Sequence, residues 1–284
     1  MICEQKDYKQ LKKELVKLLK TEGLEVYTNT KALGNQGFFR ANRIDISKTI
    51  DTKRACQVIA HEYAHYIHYK IEPEMLKTFG TLEKLFLTSD IEEIRQELVE
   101  VTHFVAQNSY QEKLYSLKNK ITEQIKEQES VIKKEYPDFQ HTKKFKEFEK
   151  FIKRHKAKFF LKYDRVKYIT PFLKKTEFYN IKNIDVDFPD IPYVFRANLK
   201  MLSYKRARNR INNRIYKMKK YYSRANELFA RFVEGLTIDY EYTKTLAPKT
   251  FERFNTLCND GYFLNLNKIV EKIVCFELYF GVDN

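Results

Sequence analysis

His61-Glu62-Tyr63-Ala64-His65 puts two imidazoles and a carboxyl within five residues. On a helix, residues i and i+4 lie one turn apart on one face, so both rings can reach a single metal ion. Glu62 then sits where it can take a proton from a water held on that metal, the arrangement of zinc-assisted hydrolysis. Such a site needs a third protein ligand and leaves the fourth position to water. His68 shares the face, but at 1.5 Å per residue it stands about 10 Å from His61 along the axis, too far to join it on one ion. It reads as a flanking or surface residue. His103, His141 and His155 are isolated and read as packing or surface histidines.

An acidic third ligand is therefore expected, and two helices compete to supply it. Glu97, in Gln96-Glu97-Leu98-Val99-Glu100, follows His65 by 32 residues. Glu227, in Asn226-Glu227-Leu228-Phe229-Ala230, opens a helix after a Ser223 or Asn226 cap. Ala230 shares its face, and a small side chain there lets two helices approach closely. Glu100 is a third option.

The elements that must hold these groups follow from pattern. Asp51 is an N-cap, and Thr52 to about Lys70 reads as one helix with no Gly or Pro. Ala55, Cys56, Val58, Ile59, Ala60, Ala64 and Ile67 make it a core helix, where unligated histidines and a glutamate would be costly. Tyr63 points away from the histidines and takes no role. Tyr8 to about Lys20 is amphipathic through Leu11, Leu15, Leu18 and Leu19. Leu24–Asn29 reads as a strand. Gly34 and Gly37 flank a turn, and Gly37–Ile46 reads as a second strand leading into the histidine helix. A strand beside a metal-binding helix offers an edge along which an extended peptide can pair. Ile91–Asn108 is a further helix with Ile91, Ile94, Leu98, Val101 and Val105 on one stripe.

From about Gln111 the composition shifts to Lys, Glu, Phe and Tyr. Ser116–Lys134 suits a long exposed helix, Pro137 breaks it, Lys143–Tyr163 resumes, and Asp185–Pro192 reads as a loop. Arg196–Asn226 holds eleven cations (196, 200, 205, 206, 208, 210, 214, 217, 219, 220, 224) and no acid. This basic helix, 196–224, is either a nucleic-acid or acidic-partner surface or a solvated helix face. The net charge of +15 follows the same division. Residues 1–105 carry 16 Lys/Arg against 16 Asp/Glu, residues 106–226 carry 31 against 13, and residues 227–284 carry 6 against 9.

Four widely spaced cysteines with no CxxC pair suggest reduced thiols rather than a zinc ribbon or a disulfide framework. The opening MICEQKDYKQ is polar and carries no secretory signal, and no apolar run is long enough to span a bilayer. A cytoplasmic location without a membrane partner is expected.

The helix Cys56-Gln57-Val58-Ile59-Ala60-His61-Glu62-Tyr63-Ala64-His65-Tyr66-Ile67-His68 resembles the motif helix of zincin-like metallopeptidases of the gluzincin type. Relatives include repressor-cleaving peptidases of mobile elements and the peptidase domains of phage and plasmid polyvalent proteins. In that group the third ligand is typically the glutamate of a Glu-x-x-Ala pattern, which Glu227-Leu228-Phe229-Ala230 matches. Val233 stands where the group often has an aromatic. Phe232–Thr237 and Leu246–Phe251 also resemble the stretch that follows this glutamate. Glu97 lacks the alanine, having Glu100 in its place. The resemblance covers about residues 24–70 and 223–255, and it implies metal ligands His61, His65 and Glu227 with Glu97 as runner-up, Zn2+ as cofactor and Glu62 as catalytic base.

The departure is that 162 residues separate His65 from Glu227. The expected fold is α+β and predominantly α-helical, a zincin-like core with a small antiparallel sheet and a long helical insertion. Residues 1–105 and 223–284 would form the core and 106–222 the basic insertion. The expected function is a zinc metallopeptidase that cleaves a protein or peptide substrate by Glu-assisted attack of zinc-bound water. The alternative is a nucleic-acid-binding mobile-element protein with a degenerate peptidase core.

Overall fold

Asp51 begins the central helix as its sequence suggests, its carboxylate accepting from the Arg54 amide at 2.7 Å, a cap that stabilises by about 1 kcal/mol. The structure is a computed structural model, and it describes residues 7–30, 35–106, 110–139, 142–170 and 175–280. Gly34 and His141 lie outside the described residues. The chain is 74% helical with small sheets, so the predominantly α-helical α+β class holds. It divides into two units, residues 1–108 with 218–284, and residues 109–217.

The first unit begins with α1 (Tyr8–Thr21), whose Leu11, Leu15 and Leu19 are buried. Then come β1 (Glu25–Thr30), β2 (Gly37–Arg40) and β3 (Arg43–Ser47). The expected single strand over Gly37–Ile46 is in fact two. The chain reverses at Ala41-Asn42, with Ala41 at φ 45°, and Asn is a residue that stabilises such reversals. The sheet order is β1-β3-β2. β2 pairs antiparallel with β3, while β1 joins it in parallel, so the small sheet is mixed.

The histidine helix, α2 (Thr52–Ile71), is buried along nearly its whole length from Ala55 to Tyr66. Short turns α3 (Met75–Thr78) and α4 (Leu82–Phe86) lead to α5 (Glu92–Ala106). After a long excursion of the chain, α10 (Ala225–Ile238) packs on both α2 and α5. Its cap is not Ser223 or Asn226 but Arg224, without a side-chain hydrogen bond. The Asn226 amide donates instead to the Phe79 carbonyl at 3.2 Å, and the Arg224 guanidinium lies 3.6 Å from the centre of the Phe79 ring. α11 (Tyr240–Leu246), α12 (Pro248–Asn259) and α13 (Leu264–Phe280) close the core. Among the described residues, no helix is long and apolar enough to cross a membrane.

The second unit contains α6 (Tyr110–Glu135), α7 (Lys143–Arg154), the hairpin β4 (Arg165–Thr170) and β5 (Lys175–Asn180), the turn α8 (Ile184–Asp187) and most of α9 (Tyr193–Tyr222). Phe139, Phe148, Phe160, Phe188 and Phe195 make up much of its interior. The helix expected to reach Tyr163 ends at Arg154. His155 leaves the helical conformation at ψ 151°, and its Nδ1 accepts from the Ala157 amide to start a short 3-10 helix. The loop expected at 185–192 contains the single turn α8.

His68 is 0% exposed rather than on the surface, and neither ring nitrogen has a hydrogen-bond partner. Gly80, at φ +68°, presses against the ring: a Cβ there would lie 2.2 Å from Nε2. Burial and the charge of His65 push the pKa of His68 down to about 4, against the pull of Glu72. Its ordinary value near 6.5 applies once the chain unfolds. Between those values the unfolded chain holds a proton that the native chain lacks, so stability is present above pH 6.5 and is lost as pH falls toward 4. Going from pH 7 to pH 5 is expected to cost wild type about 2 kcal/mol more than His68→Gln, as measured by urea unfolding at the two pH values.

Candidate metal centre

α2 and α10 supply every residue of the centre. His61 and His65, one turn apart, have ring centroids 5.0 Å apart and stand nearly perpendicular. From α10, Glu227 faces both rings: Oε1 lies 3.3 Å from His65 Nε2, and Oε2 lies 3.9 Å from His61 Nε2. One ligand atom from each of the three residues falls within 4.8 Å of the others, and all three residues are buried. The buried His61–His65–Glu227 group could therefore hold a metal ion.

The side chains fit that role. Glu227 Oε2 is buried without a hydrogen-bond partner, a costly condition for a carboxylate unless something ligates it. Burial favours the neutral form of Glu227, but His65 and then His61 outweigh it and hold its pKa at about 2. Burial likewise opposes charge on His65, and Glu227 more than offsets that, leaving the ring above its ordinary value. The Glu227 carboxylate thus favours a proton on His65. A cation entering between them must displace a proton, so its affinity rises with pH.

Glu234, also on α10, orients the first histidine. Its Oε2 meets His61 Nδ1 at 2.8 Å and accepts from Arg231 at 3.1 Å, while its Oε1 accepts from Arg54. Burial works against its charge, but Arg231, His61 and Arg54 hold it far below the usual carboxylate range. Holding Nδ1 this way leaves Nε2 as the free ligand atom. Glu234→Ala is expected to weaken metal binding by about 10- to 100-fold while both histidines remain, measured with zinc as the probe ion in competition with a chromogenic chelator.

Glu62 is 6% exposed and lies beneath the sheet edge. A Cβ on Gly37 would lie 2.4 Å from Val58 Cγ1 and 2.6 Å from Glu62 Oε1, so a glycine lets the start of β2 pass this close over α2 and the carboxyl. Burial raises the Glu62 pKa, His61 and His65 pull it back only in part, and Glu227 and Glu234 add to the rise. A carboxyl raised in this way is better matched to general-base work near neutral pH. Tyr221, at the end of α9, sits close enough to Glu227 that the two shift each other's ionisation. Tyr63 hydrogen-bonds Glu22 at 2.5 Å, away from the rings.

Glu97 lies elsewhere. Its carboxylate accepts from the Lys249 amide at 3.1 Å, the Thr250 amide at 2.7 Å and the Thr250 hydroxyl at 2.7 Å. It caps the first turn of α12, whose own cap residue, Ala247, has no side-chain oxygen. Glu100 is exposed on α5, and His103 is likewise exposed. His155 is bound to Asp190 in the second unit. Compared with family models, curated proteins and solved structures, the chain matches none.

Proposed function

We propose that the protein is a zinc metallopeptidase of zincin-like, gluzincin type that hydrolyses peptide bonds of a protein substrate. The observation that carries this reading is the convergence of His61, His65 and Glu227 from two helices, with the buried Glu62 carboxyl on the same helix as the two rings. Zinc is the metal that best suits two imidazoles and one carboxylate, and when bound it would lower the pKa of a water and polarise a carbonyl.

The chain's own residues do the rest. Glu62 takes a proton from the attacking water and returns it to the leaving amine. Glu234, held by Arg54 and Arg231, keeps His61 in one tautomer and one orientation. β2 is an edge strand that passes over Glu62, so a substrate laid along it as a further strand brings its peptide bonds past the base. The test is stoichiometric zinc in the purified protein together with cleavage of an unfolded protein substrate, the cleavage being lost on Glu62→Gln.

A further inference from the structure

All of the chain's excess charge belongs to the second unit. Residues 109–217 hold 28 Lys/Arg against 13 Asp/Glu, and the remaining residues hold 25 against 25. Five of the eleven cations along the basic helix are matched by acids. Arg196 and Lys200 pair with Asp185, Lys205 with Glu129, and Arg206 and Arg210 with Asp164. Arg206 also donates to the carbonyls of Phe160 and Leu161. These cations hold the unit together.

The β4–β5 hairpin is different. Its register sets Arg165 opposite Asn180, Lys167 opposite Phe178 and Ile169 opposite Thr176, all on one face. The other face turns toward Lys156, which bonds Glu177 and Tyr179 and lies over Tyr168. On the first face Phe178 is 75% exposed and Ile169 is 57% exposed, with Arg165 and Lys167 also in solvent. Lys167 Nζ stands 5.8 Å from the centre of the Phe178 ring. Among the described residues of the two strands Glu177 is the one acid, and it lies on the other face.

We propose that this hairpin face binds single-stranded nucleic acid. An aromatic ring left open to solvent between cations is a platform for an unpaired base, with the flanking charges on the phosphates. A duplex keeps its bases stacked inside and offers such a ring nothing to cover. Acid-free positive charge fits a polyanion, and the bare aromatic selects the unpaired form. Nothing in this proposal depends on the peptidase reading.

The test uses the full chain and a fluorescein-labelled 20-nucleotide oligothymidylate, beside a 20-base-pair duplex, in anisotropy titrations across a range of salt. The single strand should bind more tightly than the duplex, with affinity falling steeply as salt rises. Phe178→Ala should weaken single-strand binding about tenfold, and Phe178→Tyr should restore most of it. Arg165→Gln with Lys167→Gln should lower the slope of log affinity against log salt by about 1.4, at about 0.7 per phosphate. Phe178 is exposed, so its loss should leave the circular dichroism spectrum unchanged. Equal affinity for duplex and single strand, full binding by Phe178→Ala, or no salt-dependent binding would each overturn the proposal.

Discussion

Glu62→Gln is expected to lower peptide hydrolysis by about 10³-fold while zinc stays stoichiometric. General-base assistance contributes roughly 10² to 10⁴ in rate, and glutamine keeps the shape of the side chain without its basicity. The carboxyl is not one of the three groups facing the metal position, so its loss removes no ligand. Stability should not suffer either. Burial already disfavours the Glu62 anion, and Glu227 and Glu234 repel it; a neutral amide removes both penalties. The measurement pairs metal analysis by mass spectrometry with cleavage of an unfolded protein, wild type beside variant. A Glu62→Gln protein that holds zinc and cleaves at the wild-type rate would remove the base from the mechanism and the mechanism with it. One that loses zinc would instead make Glu62 part of the metal shell.

The helix carrying the histidines was legible because its signals are local. A cap, an unbroken run without Gly or Pro, and a buried apolar majority all fall within twenty residues, and α2 has those bounds to within one residue at its C-terminal end. The sheet was less legible. Gly37 to Ile46 has no strong turn dipeptide, and Asn42 alone is a weak signal, so the reversal at Ala41-Asn42 becomes evident only in the pairing of β2 with β3. Long-range groups were hidden in another way. Glu234 lies seven residues after Glu227 and Arg54 seven before His61, two helical turns in each case, so each shares a face with a residue of the centre. That spacing was available in the chain, but it gains meaning only when α10 is set against α2. Nor can composition show that five of the eleven cations on the basic helix are already matched by acids distant in sequence.

Alanine at the two rival glutamates should give opposite results. Glu227→Ala is expected to weaken zinc by more than about 100-fold, since even an outer partner of a ligating histidine is worth 10- to 100-fold. The variant also takes from His65 the carboxylate that faces it, so zinc content, and not the melt alone, is the readout that marks Glu227 as a ligand. Glu97→Ala should retain zinc and lose stability. It strips two amides and a hydroxyl from the start of α12 of their common acceptor. Hydrogen bonds to a charged group contribute about 1.5–3 kcal/mol. In a unit of this size that corresponds to a fall in Tm of roughly 5 °C or more. Metal content and thermal melting, read on both variants, separate a ligand from a helix cap. Zinc lost by Glu97→Ala and kept by Glu227→Ala would mean that α10 does not close the site, and the convergence of the two helices would no longer support a hydrolase.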